Sequence, residues 1–290
     1  MAANPALTSC DVAVVSDTSI IDENTPAITA GLRGLVVLQV RYNGPNKELH
    51  SGFFGGAVAN PALALCQKIT ALTDAQGKIT LPHFYDDVHE YSQAERALFN
   101  QQPNFETTVK HETGVASLAT GELGYTALER VGIRPCLSVM SFHAGPDLGL
   151  EKGVIPPFAE AMVGLRLVPH QNPAAIAEIF EAHFASNLPT GITATITLHG
   201  ASTAWAITSF DDAGYKAAAL AYEASFGMAP VPIFCGGSIP VVASLAKAGA
   251  NPTLLGFGLG SDNLHSPNEH ISINRLQKGI ETLARFFVAL

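Results

Sequence analysis

An α/β domain interrupted by an α+β domain is the fold class the sequence predicts, and three observations predict it. Apolar runs that end in polar loops stand near both ends of the chain, at residues 11–17 (DVAVVSD) and 252–257 (PTLLGF), in the manner of buried parallel strands. Between them, residues 35–42 (LVVLQVRY), 160–168 (EAMVGLRLV) and 191–198 (GITATITL) alternate apolar with polar side chains, the pattern of a half-exposed sheet. Helical periodicity fills residues 58–73 and 172–184 between these alternating strands, and each helix carries a proline, Pro61 or Pro173, in its first turn.

Taken in order, residues 11–17 form a strand that places Asp17 at the carboxyl edge of a sheet. Only ten residues precede it, so the strand is either an edge or the point where the chain enters a domain midway. The change to alternation at residue 35 opens the second domain. Residues 47–56 (KELHSGFFGG) surround an aromatic pair with glycines and place His50 just ahead of them. Residues 74–135 mix a turn, a strand-like ITLP and helical stretches near residues 90–99 and 107–116; His83, His89 and His111 there have no ligand spacing. Strand, helix, strand, then strand, helix, strand gives the order of an α+β sandwich, one antiparallel sheet with two helices on one face. From residue 206 the α/β character returns: a helix over 211–226 closed by Gly227, a loop at 234–238 (FCGGS), a helix over 239–248, the strand at 252–257, a loop, and a helix over 272–290. Residues 1–31 and 206–290 then make one domain, interrupted by residues 32–205.

Composition removes several classes of function. With 47% hydrophobic residues among 290, the chain can bury one large core or two modest ones. Its net charge of −9 and lack of any Lys/Arg run argue against nucleic acid and anionic membranes as partners. No apolar run is long enough to span a membrane and residues 1–12 do not resemble a signal peptide, so a cytoplasmic location is expected. The four cysteines, Cys10, Cys66, Cys136 and Cys235, show no CxxC pair and read as reduced side chains.

Chemistry concentrates in residues 258–269 (GLGSDNLHSPNE), a loop at the carboxyl end of a strand, where α/β proteins hold their ligands. It presents His265 among Asp262, Asn263, Ser266, Asn268 and Glu269. A loop histidine is ordinarily a surface residue, and Asp17 fits a turn cap with Thr18 and Ser19 as well as it fits a metal ligand.

Motifs in a fixed order narrow these choices: VVSDT at residues 14–18, LHSGFFGG at 49–56, GGSIPV at 236–241 and LGSDNLHSPNE at 259–269, with GLRG at 31–34, YDDV at 85–88 and VIP…RLVP within 154–169. Together they resemble the di-zinc metallopeptidase family that contains cytosolic non-specific dipeptidase, carnosinase and carboxypeptidase G, over essentially the whole chain. The resemblance implies a partial zinc-exopeptidase-like catalytic domain interrupted by a ferredoxin-like lid, or dimerisation, domain. It implies Asp17 and His265 as metal ligands, with zinc, manganese or cobalt as the metal. His50 matches a lid histidine that polarises the scissile carbonyl in the partner subunit of a homodimer, while Arg166 and Ser238 match substrate contacts. Read without it, Arg166 is a solvated strand residue and residues 236–238 a turn with a helix cap.

The family's HxDxxP motif and Glu-Glu pair, which carry the other ligands and the general base, do not occur in this sequence, and His-x-Asp is found nowhere. The chain therefore resembles the C-terminal portion of such an enzyme. Peptide hydrolysis is expected only when a missing N-terminal segment is supplied; the alternatives are a non-catalytic dimerisation or binding module, or a truncated gene product. Phe234 and Cys235, Met140 and Ser141, and Gly153 depart from residues common in relatives, which leaves the peptide substrate unspecified.

Overall fold

The computed structural model describes residues 10–102, 104–118, 120–146, 152–200 and 203–290. Its elements in chain order are β1 (Val12–Ser19), β2 (Ala27–Leu32), β3 (Gly34–Asn43), β4 (Leu49–His50), α1 (Ser51–Phe54), α2 (Pro61–Thr70), α3 (Gln93–Phe99), α4 (Phe105–Thr113) and α5 (Ala127–Gly132). There follow β5 (Cys136–Ala144), β6 (Val154–Ile155), β7 (Phe158–Leu167), α6 (Pro173–Ala185), β8 (Thr193–Leu198), β9 (Ala206–Ile207), α7 (Ala213–Phe226), β10 (Val231–Cys235), α8 (Pro240–Lys247), β11 (Asn251–Gly258) and α9 (Ile273–Ala289). The architecture is mixed α/β, built on two main sheets.

The first sheet has the order β1-β11-β2-β10, with β9 joining β2. β1 runs parallel to β11 and β10 parallel to β2, while β11 and β2 meet antiparallel at Leu254 and Thr29. Successive residues of a strand face opposite sides, and β11 shows the consequence. Leu255 packs with Ile28, Tyr222 and Phe286 from the α7 and α9 side, whereas Leu254 packs with Leu32 and Val242 from the α8 side. Helices thus cover both faces, which is why 252–257 reads as a continuous apolar run. Among the described residues β1 pairs only with β11.

The second sheet, β5-β7-β3-β8, is antiparallel throughout. Val36, Leu38, Val40 and Tyr42 on β3 and Leu165 and Leu167 on β7 alternate inward onto α2 and α6, whose Leu65, Phe180 and Phe184 complete the core. The Tyr42 hydroxyl donates to the Phe184 carbonyl at 2.9 Å, and burial pushes its pKa up to about 12. The strand-like ITLP does not join this sheet: Ile79 forms only an isolated bridge to Thr73, and the sheet's remaining strand is β5. β5 escapes notice because most of it is exposed, with Val139, Met140 and Phe142 facing outward and polar residues interspersed. Around α3, α4 and α5, Arg134 forms a buried ion pair with Glu122 at 2.7 Å and the half-buried Arg96 pairs with Glu129 at 2.6 Å. No described helix is long and apolar enough to cross a membrane.

One position on the β1–β11 seam is intolerant. Gly256 faces Thr18 beside a register shift, and a side chain there would enter the space of the Thr18 carbonyl. Gly256→Ala is expected to destabilise the chain by about 1–3 kcal/mol, read as a lower urea midpoint.

Candidate metal and substrate site

Asp17 is the residue skipped in the β1–β11 register, between Ser16 opposite Leu255 and Thr18 opposite Gly256. Such a bulge turns one side chain out of the ladder near a strand end, and Asp17 is exposed there. It lines a cleft of about 360 Å³ together with Leu264, Arg275, Leu276 and Ile280. Because β1 and β11 are parallel, with Ser19 opposite Gly258, both strands deliver their carboxyl ends to the same edge.

The loop after β11 carries His265. Asn263, His265 and Asn268 have φ values of 58°, 59° and 64°, three non-glycine residues in the left-handed region within six positions. Each costs about 1 kcal/mol or more and persists only where the surroundings hold it. The holding group is Asp262, buried and fixed by Arg275 of α9, whose guanidinium reaches both carboxylate oxygens at 2.5 and 2.6 Å. Asp262 also accepts from the Leu259 N–H at 2.8 Å, and Arg275 donates to the Phe257 carbonyl and to Glu23, both at 2.9 Å. The sequence flags Asp262 as a neighbour of His265 but gives no sign of this anchor, which joins residues 13 apart and depends on the turn between them.

Arg275 holds the Asp262 carboxyl below the usual carboxylate range, against the opposing effect of burial. A carboxyl depressed on folding adds stability above its unfolded value of about pH 4 and loses it as pH falls through the lower folded value. The urea midpoint of the chain is therefore expected to fall between pH 5 and pH 3 by more in the wild type than in an Arg275→Leu variant, with ~pH 4 marking the onset.

Arg166 and Ser238 are brought together: the Arg166 Nη1 donates to the Ser238 hydroxyl at 3.3 Å, joining β7 of one sheet to the loop after β10 of the other. Ser238 does not cap a helix, since Ile239 is the N-cap of α8 and makes no side-chain cap bond. The Gly236–Ser238 turn is gripped by Arg33, a residue the sequence marks only as part of GLRG. Its Nε donates to the Gly236 carbonyl at 3.0 Å and its N–H to the Gly237 carbonyl at 3.1 Å.

His50 belongs to neither group. It ends β4, which pairs with β6, and caps α1, its Nδ1 accepting from the Gly52 N–H at 3.1 Å. In the neutral ring this leaves the proton on Nε2. The imidazole lies against Phe53, ring centres 4.7 Å apart, and Phe53 is 81% exposed. Among the described residues no group of three or more His, Cys, Asp or Glu side chains is placed to hold a metal ion. A closed zinc site takes three or four protein ligands, so Asp17 and His265 by themselves do not make one.

Comparison with known proteins fits this geometry. The Cys-Gly metallodipeptidase dug1 of Schizosaccharomyces pombe is 28% identical over 281 residues, covering 95% of this chain and 58% of its own length. The human Beta-Ala-His dipeptidase is 29% identical, with 97% of this chain and 56% of its own length covered. The M20 family metallo-carboxypeptidase Sso-CP2 from Sulfolobus solfataricus superposes with a TM-score of 0.84 at 26% identity, covering 98% of this chain and 64% of that one. The chain thus spans little more than half the length of the curated relatives it matches. The profile of peptidase family M20/M25/M40 matches residues 13–289, nearly the whole chain, and the protein belongs to that family.

Proposed function

We propose that this chain carries part of a metal-dependent site that hydrolyses dipeptides or related amides. In this reading residues 1–31 and 206–290 form the catalytic domain and residues 32–205 a ferredoxin-like lid. The observation that carries it is the convergence of Asp17 and the strained His265 loop at one sheet edge, in a chain of a peptidase family. Asp17 and His265 supply a carboxylate and an imidazole, a ligand pair that suits zinc and also manganese or cobalt. Bound there, such a metal supplies Lewis acidity toward the scissile carbonyl.

The remaining ligands and the general base come from a further polypeptide segment. Two features support a place for it: the free edge of β1, and an apolar stripe on α9. Ile273, Leu276 and Ile280 on that helix are 75%, 50% and 63% exposed, and Leu276 and Ile280 share the cleft with Asp17. A strand edge beside an exposed apolar face is a surface that other polypeptide covers.

The chain's own residues then bind and orient. Arg166, held by Ser238, receives the substrate carboxylate with its planar guanidinium. His50 donates from Nε2 to the scissile carbonyl of a paired second copy, and the exposure of Phe53 beside it fits a contact across that pair. The names of the relatives suggest Cys-Gly and β-alanyl-histidine as first substrates. Mixing the chain with a segment bearing the HxDxxP motif and adding zinc is expected to produce Cys-Gly hydrolysis at least about 100-fold above the chain alone. No gain over the isolated chain would contradict the reading.

A further inference from the structure

One cavity lies apart from Asp17 and His265. It has a volume of about 700 Å³ and runs between α4, α5 and β5, with Phe105, Val109 and Val131 among its apolar walls and Arg33 and Arg130 on its lining. Its size is that of a small-molecule site.

Its electrostatics are unusual for this chain. Of the eight arginines, Arg41, Arg96, Arg134, Arg275 and Arg285 each meet a carboxylate within 4.0 Å. The other three, Arg33, Arg130 and Arg166, have no such partner among the described residues, and they meet in one region. Arg33 is only 7% exposed, yet its Nη1 has just the Arg130 and Arg134 carbonyls, at 3.3 and 3.2 Å, and the Cys136 thiol at 3.3 Å. Arg130 donates from Nη1 to the Leu118 and Thr120 carbonyls, at 3.1 and 3.0 Å, and its buried Nε has no partner. Arg166 stands opposite Cys136 in the β5–β7 ladder. Burial lowers the Arg33 pKa and the Arg166 charge lowers it further, against the opposing effect of the Cys136 and Cys235 thiols. Carbonyls satisfy the donors but bring no negative charge, and a buried unpaired guanidinium is costly. The one carboxylate on the cavity wall, Asp74, turns inward on its own loop, accepting from the Gln76 and Lys78 N–H groups at 2.8 and 2.9 Å.

We propose that this cavity binds a small organic acid, a carboxylate on an apolar body, with Arg130 and Arg33 receiving the carboxylate and Phe105, Val109 and Val131 enclosing the body. Asp17, His265, Arg166 and Ser238 do not line this cavity, and the proposal needs no metal.

Calorimetric titration of the whole chain in EDTA with 4-phenylbutyrate and with 4-phenylbutylamine, which share an apolar body and differ in charge, tests it. The acid is expected to bind one site with a sub-millimolar Kd and the amine at least about tenfold more weakly. Arg130→Gln is expected to weaken the acid by about tenfold or more, and Val109→Trp, which fills the cavity without touching its charge, to abolish binding. Equal binding of acid and amine, no binding of the acid at millimolar concentration, or retention of its affinity in a folded Arg130→Gln chain would each overturn the proposal. Should Arg130→Gln fail to fold, the acid–amine comparison and Val109→Trp decide it.

Discussion

Arg275→Leu is expected to lower the stability of the chain by about 3–5 kcal/mol, because it strands the buried Asp262 carboxylate without its counter-charge. Both side chains are 3% exposed, and the pair is bidentate. Leucine removes in one step the contacts to Asp262, to the Phe257 carbonyl and to Glu23. For a chain of this size the loss corresponds to a drop of about 6–15 °C in Tm. Combining Arg275→Leu with Asp262→Leu is expected to cost less than the sum of the single changes, since neither charge is then left alone. Calorimetry on the four proteins of that cycle reads the coupling directly. The consequence reaches the site: Asp262 organises residues 259–270, so losing the anchor releases the left-handed conformation of His265. A stability change below ~1 kcal/mol would mean that the loop is held by something else.

How much of this was legible in the sequence depends on how far apart the interacting residues lie. β1, β3, β7, β8 and β11 and the long helices follow from local periodicity, and their ends fall within a few residues of expectation. β2 is missed because AITAGL is short, glycine-containing and buried on both faces, so it has no alternation to read. β10 is missed because its last residues, Phe234 and Cys235, run into the glycine loop and share its character. β5 is missed for the opposite reason, its side chains being mostly exposed. Asp17, His265 and Ser238 are visible as polar residues at strand ends, whereas the grip of Arg33 on Gly236 spans 203 residues and no local pattern encodes it. The arginine cavity is likewise a product of packing, since unpaired charge is a property of surroundings and not of sequence.

The second large effect concerns the metal. If Asp17 and His265 are ligands, replacing either removes one of only a few bonds to the ion. Losing a group that only hydrogen-bonds to a metal ligand typically costs about 10–100-fold in metal affinity, so loss of a ligand itself is expected to cost about 100-fold or more. Neither change should disturb folding much, because both residues are exposed and neither is buried in a core. Asp17 lies at the register shift and needs no ladder bond, and His265 keeps its loop conformation through Asp262. Asp17→Asn and His265→Ala are therefore expected to keep the wild-type Tm within about 2 °C while losing metal. That separation of stability from binding is what distinguishes a ligand from the turn cap that Asp17 also resembles.

The most direct measurement is zinc titration of the chain joined by a segment bearing HxDxxP, carried out in parallel on the wild type, Asp17→Asn and His265→Ala. The expected result is tight zinc binding and Cys-Gly hydrolysis by the wild-type combination, with both lost together, by about 100-fold or more, in each variant. Zinc affinity and hydrolysis that survive unchanged in the folded variants would contradict the assignment of Asp17 and His265 as metal ligands.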